Sequence, residues 1–209
     1  MKNIRKILTE LKENNFEEIE KKVNFHIHTT CSDGCLTPQE AIKFAKNKEY
    51  TYFSITDHNN FDAYKELDYQ NIEGLITGIE FDCWYKGVFM HLLCYGIYPF
   101  ASEMKPFLAK TEAEKQKDIV RIFAKRDVEK IIKTVHDLGG ITVLAHPCCC
   151  PCLSLNRLFK QLKKAGLDGI EAFYPYKRHR AIIKFHKTET AHALSKKYDF
   201  LITCGTDKH

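Results

Sequence analysis

No stretch of this 209-residue chain approaches the roughly 18 to 20 uninterrupted apolar residues that a membrane-spanning helix needs. The opening segment, MKNIRKILTELKENNFEEIEKK, is charged throughout, where a secretory leader would carry an apolar core. A cytoplasmic protein without a membrane partner is therefore expected. Low-complexity linkers and internal repeats are also missing, and a chain with 44% hydrophobic residues suits one domain. That domain is expected over residues 23–209, preceded by an N-terminal helix within 1–22. Neither charge sign dominates: the formal net charge of +5 is spread along the chain. It can help attract anionic substrates without marking a nucleic-acid binder, and no stable protein partner is inferable. Cysteine is not scarce, but nine residues make an odd count and no export signal accompanies them, so reduced thiols are expected rather than a disulfide framework.

Short apolar runs rich in β-branched and aromatic residues alternate with longer amphipathic ones, the pattern of an α/β fold. Strands are expected at residues 23–28, 52–56, 75–81, 88–95, 141–145, 169–173 and 200–204. Thr37-Pro38-Gln39-Glu40 supplies a capping threonine, a proline at the first helical position and a first-turn glutamate, predicting a helix to about Lys48. Further helices are expected at 2–21, 154–165 and 180–197, with a broken one inside 102–138. Only the short Trp84-Tyr85-Lys86-Gly87 segment separates two strands, which leaves room for a hairpin and none for a helix.

Metal-ligand residue types recur at the carboxyl ends of these strands, where α/β enzymes assemble their sites. His26 and His28 lie two apart on the first strand, so both imidazoles project to one side. Thr56-Asp57-His58, Gly78-Ile79-Glu80, His91, Ala145-His146-Pro147 and Gly205-Thr206-Asp207-Lys208-His209 follow in order. Singly, each has an ordinary reading as a hydrogen-bonded core histidine or a helix-capping aspartate. Jointly they are hard to place in a packed core, where an unpaired polar group costs about 1 to 3 kcal/mol. Imidazole and carboxylate together suit Zn, Mn or Fe better than Mg or Ca.

These motifs, with Ser32-Asp33-Gly34 after the first histidine pair, resemble the ordered motifs of the PHP (polymerase and histidinol phosphatase) family. The order and spacing are most similar to small stand-alone phosphoesterases acting on nucleoside monophosphates or short oligonucleotides. The resemblance implies a distorted TIM-like barrel of about seven strands and two or three divalent metal ions. One ion would be held by His26, His28, Glu80 and Asp207. A second would share Glu80 and add His91 and His146, and a third would take Asp33, His58 and His209, with Asp33 standing where some relatives carry histidine. Asp57 is expected behind the ligands, fixing an imidazole tautomer. Ions about 3.5 to 4 Å apart would acidify a bridging water and neutralise phosphate, giving phosphomonoester hydrolysis by a metal-activated hydroxide. Histidinol-phosphate hydrolysis and an inactive PHP-like metal-binding module are the alternatives.

Three features lie outside that ligand set. Lys177, Arg178 and Arg180 follow the sixth strand on the catalytic face and suit phosphate binding, with His179 as a proton donor, although a solvated helix start reads equally well. Glu171 points from that strand with no assigned role. Cys148, Cys149, Cys150 and Cys152 crowd the loop after His146, either as a soft-metal or redox site or as a thiol-rich loop at the mouth. The chain ends on His209, which reads either as a truncation or as a barrel without its closing helix.

Overall fold

A computed structural model describes residues 3–12, 16–176 and 183–209. Helices α1 (Ile4–Lys12) and α2 (Phe16–Lys22) precede strand β1 (Val23–Asn24), both within the helical region expected over 2–21 and separated by residues outside the described ones. Helix α3 (Pro38–Asn47) carries the predicted capping box: the Thr37 side chain accepts from Glu40 N, and the Glu40 carboxylate accepts from Thr37 N. Strands β2 (Tyr52–Ile55), β3 (Leu75–Tyr85) and β4 (Val88–Tyr95) follow, the last two forming the expected hairpin. Region 102–138 is broken more than once: a 3-10 turn at Ser102–Phe107 containing Pro106 precedes α4 (Glu112–Gln116), α5 (Asp118–Arg121) and α6 (Val128–Asp137). Strand β5 (Ile141–Leu144), helix α7 (Leu155–Lys164), strand β6 (Gly169–Phe173), helix α8 (Thr188–Lys197) and strand β7 (Leu201–Cys204) complete the order. Among the described residues no helix is long and apolar enough to cross a membrane.

The seven strands form one sheet in chain order, parallel except where β4 pairs antiparallel with β3 and β5. Beyond β7 the chain meets the start again: Phe25 N donates to Cys204 O at 2.9 Å, Asp207 N to His26 O at 2.9 Å and His28 N to Lys208 O at 3.1 Å. The sheet is thus a nearly closed, distorted barrel, with the reversed β4 as the main irregularity.

Strand alternation sorts the side chains into two layers. Ile79, Phe81, Leu92 and Ile170 face outward and are buried with Ala41, Ile131, Phe159 and Leu194 of the surrounding helices. Ile76, Leu93, Tyr95, Ile141 and Val143 belong to the other face, the one that carries Glu80 and His91 farther along. Helix α1 covers them with Ile4, Ile7, Leu8 and Leu11. The N-terminal helix is therefore part of the domain core. It seals the interior beneath the polar end with apolar side chains, each fully buried one contributing about 1.5 to 3 kcal/mol.

Candidate metal centre

The extended segment after β1 projects His26 and His28 to the same side, and their Nε2 atoms lie 3.1 Å apart. Two such atoms this close share either a proton or an ion. Glu80, from the middle of β3, meets both: its Oε2 lies 3.0 Å from His26 Nε2 and 3.1 Å from His28 Nε2. Its Oε1 lies 3.1 Å from His91 Nδ1 on β4 and 3.2 Å from His146 Nε2 after β5. Asp207, just past β7, places Oδ1 3.2 Å from His26 Nε2 and 3.1 Å from His28 Nε2. Asp33 lies 3.6 Å from His58 and 3.4 Å from His209.

Three groups result in which the ligand atoms all lie within 4.8 Å of one another: His26, His28, Glu80 and Asp207; His58, Glu80 and His91; and His28, Asp33, His58 and His209. The first is the set named from sequence. In the other two the partition differs, because His58 stands beside Glu80 as well as Asp33, and His28 is common to two groups. His146 reaches the centre through Glu80. Backbone strain accompanies two of the residues, His146 with φ 24° and Asp207 with φ 46°. Non-glycine residues in this region cost about 1 to 3 kcal/mol and persist where surrounding bonds fix them. Here His146 N donates to Glu171 Oε2 at 2.8 Å and Asp207 N to His26 O at 2.9 Å.

Behind the ligands lies a layer of carboxylates. Glu171 Oε1 is 2.9 Å from His26 Nδ1, so a proton held there leaves the Nε2 lone pair facing Glu80 and Asp207. Gly205 makes this possible: a Cβ there would stand 2.2 Å from His26 Cβ and 2.9 Å from Glu171 Oε1. Asp82 does the same work for two rings. Its Oδ2 is 3.0 Å from His58 Nδ1 and its Oδ1 is 3.1 Å from His91 Nε2, leaving the opposite nitrogen of each ring toward Glu80. The Tyr174 hydroxyl donates to Asp207. Asp57, expected against an imidazole, instead accepts from Thr29 N at 2.7 Å, Thr29 Oγ1 at 2.6 Å and Ser32 Oγ at 2.7 Å. It fixes the turn that returns Asp33 to the site, and it reaches His28 through the Ser32 hydroxyl.

Burial disfavours charge on these rings, yet hydrogen bonds to Asp207 and Glu80 and the charges of both raise His28 to about 10. Burial is likewise outweighed at His91, where the Asp82 and Glu80 charges raise the ring to about 10. Burial raises the Glu80 and Asp207 carboxyls, but facing imidazoles, His26 first, hold both well below the ordinary range. The donor chemistry fits transition-metal ions: buried anionic oxygens and imidazole lone pairs converge, and the free ring nitrogens are already tied. Without ions, protons must balance the carboxylates. Both rings titrate near 10, so at pH 7.5 they are protonated, and metal binding must displace those protons. Loading should release on the order of one proton or more per chain, and affinity should rise with pH from 7 toward 10. Calorimetric Zn or Mn titrations at pH 7.5 in two buffers of different ionisation enthalpy check this; identical apparent enthalpies would refute it.

The PHP domain model matches residues 24–205, nearly the whole barrel. The chain belongs to the PHP family. Among curated relatives, it is 28% identical over 130 residues to an uncharacterized protein of Methanocaldococcus jannaschii, covering 60% of this chain and 58% of that one. It is 28% identical over 105 residues to a 5'-3' exoribonuclease of Haemophilus influenzae, covering 49% of this chain and 38% of the enzyme. The matches thus span less than two thirds of either relative. Two solved structures, an amidohydrolase from Chromobacterium violaceum and a protein assigned as a metal-dependent phosphoesterase from Bifidobacterium adolescentis, superpose with TM-scores of 0.71 and 0.70. Each is 17% identical, with 90% of this chain and 87% of the other covered, and these likenesses bear on the PHP fold alone.

Two polar residues at the PHP centre were not singled out from sequence. Asp82 repeats the i, i+2 relation of His26 and His28 along β3 from Glu80, so alternation alone could have found it. Arg121, 1% exposed, comes from the α5 turn and had no comparable signal. Lys177, Arg178, His179 and Arg180 lie outside the described residues. The cysteine loop runs along the mouth, with Cys149 and Cys150 lining a cleft of about 910 Å³ that opens onto the ligands. Burial pushes the Cys149 thiol up to about 12 and raises Cys148, Cys150 and Cys152 as well, which makes them weak nucleophiles and ligands. Among the described residues no converging ligand group includes a cysteine.

Proposed function

We propose that this PHP protein is a metal-dependent phosphoesterase that hydrolyses phosphomonoesters of nucleotides or of the ends of short oligonucleotides. The observation that carries the reading is the convergence on Glu80 of five imidazoles, two of which also meet Asp207, beside one cleft. Divalent ions held by His26, His28, Glu80, His91, His146 and Asp207, with Asp33, His58 and His209 beside them, would supply charge for phosphate oxygens and acidify a water. The chain's own part is to aim these lone pairs through Glu171 and Asp82 and to exclude bulk water beneath them with the α1-sealed core.

The cleft supports the substrate class. Its volume of about 910 Å³ accommodates a nucleotide, and Phe89, Met90, Ile122, Ile183 and Phe185 give it an apolar wall suited to a base. The Haemophilus influenzae relative, an exoribonuclease, supports a nucleic-acid-derived substrate. Action in the cytoplasm accords with cysteines that are free throughout the described residues. The test is protein stripped of metal, reloaded separately with Mn, Zn and Fe, and assayed on nucleoside monophosphates, short oligonucleotides, histidinol phosphate and simple amides. Metal-dependent phosphate release from the first two is expected. Turnover of histidinol phosphate or amides alone would overturn the substrate assignment, and no turnover with any metal would overturn the enzyme reading.

A further inference from the structure

Helix α5 is inverted relative to an ordinary surface turn. Its arginine points inward at 1% exposure, while Ile119, Ile122 and Phe123 beside it are 70%, 40% and 77% exposed. An arginine is rarely buried unless paired, and this one is held by several partners. Its Nη1 donates to Lys115 O at 2.7 Å, and its Nη2 donates to Asp33 at 2.8 Å and pairs with Asp118. Its Nε lies 3.2 Å from Asp82 Oδ1, yet neither of those buried atoms has an aligned hydrogen-bond partner. The guanidinium therefore sits between the carboxylate that completes the third ligand group and the one that orients His58 and His91, and it lines the cleft.

We propose that Arg121 is a built-in cation that takes the place of a third ion, so that the centre holds two ions tightly and its His28, Asp33, His58 and His209 group only weakly. The inference rests on the reading that ions bind here at all. Asp33 Oδ2 faces both His58 Nε2 at 3.6 Å and the Arg121 guanidinium, while Oδ1 faces His28 and His209, so an ion in that group would share a carboxylate whose charge Arg121 already partly neutralises. It would also stand next to a fixed positive charge, and like charges repel. Arginine suits this use because its charge persists at any working pH.

The test measures bound metal rather than turnover. Metal-stripped protein is dialysed against graded Mn or Zn, and ions per chain are counted by elemental analysis. The parent is expected to hold two ions tightly and a third at least about tenfold more weakly, whereas Arg121→Gln should tighten the third by about tenfold or more. Arg121→Lys, which keeps the charge, should resemble the parent. Because Arg121→Gln leaves Asp82 and Asp33 short of a partner and can fail to fold, Asp118→Asn provides a second arm. Asp118 is exposed, and its loss leaves Arg121 less neutralised, so the third ion should bind a few-fold more weakly still. Three equally tight ions in the parent, or a third affinity unmoved in both Arg121→Gln and Asp118→Asn, would overturn the role of Arg121 and leave the metal centre standing. Fewer than two ions in the parent would overturn the metal centre itself.

Discussion

Glu80→Gln is expected to lower kcat/KM by on the order of a thousandfold, the equivalent of several kcal/mol of transition-state charge stabilisation. The substitution keeps size and removes one charge. It removes it at the only carboxylate that belongs to two of the ligand groups found among the described residues and that also touches His146. His58→Ala should cost less, about ten- to a hundredfold, because Glu80, His91 and the His26, His28 and Asp207 set stay in place. Steady-state kinetics with metal content measured on the same samples separates the two. A Gln variant that keeps its ions and its rate would end the assignment of Glu80 as the shared ligand.

Asp82→Asn should produce the largest change in stability. It strips the charge facing Arg121 Nε and two imidazoles, and Asp82 itself is completely buried. Removing one partner of a buried ion pair costs about 3 to 5 kcal/mol. For a chain of this size that is roughly 10 °C in Tm. Metal affinity should fall about ten- to a hundredfold, since His58 and His91 lose the group that fixes their tautomers. Thermal unfolding of the metal-free protein isolates the first effect, and metal titration the second. An Asn variant with parental Tm and parental affinity would show that Arg121, His58 and His91 are held by other contacts.

The ligands that could be read from sequence are those on strands, where the period of two settles direction. His26 and His28 follow from that period directly, and Glu80 from its place near a strand end. Asp82 obeys the same rule, but the third strand was expected to stop at Phe81, and the observed one continues to Tyr85. Asp57 adjoins His58 in sequence, yet neighbours on extended chain face opposite ways, so its carboxylate turns to Thr29 and Ser32 and meets the His28 ring through the Ser32 hydroxyl. Arg121 was beyond local rules. Only the tertiary placement of Asp33 and Asp82 makes burial of a guanidinium favourable, and a short turn with outward isoleucine and phenylalanine reverses the pattern that hydrophobic periodicity detects.

The seam where the chain's two ends meet is only loosely laced. Among the described residues, the segments that follow β1 and β7 share a few backbone bonds and an isolated bridge, Ile27 with Lys208, in place of a regular ladder. Yet His26 and His28 stand on one lip and Asp207 on the other, with their ligand atoms in a single group. An ion gripped by that group is a clasp across the seam of the cylinder, drawing together residues some 180 positions apart in the chain. The free energy of grasping the ion and the free energy of shutting the cylinder are then one quantity seen from two sides. A cell that withholds metal would leave this protein idle and also slack along one edge.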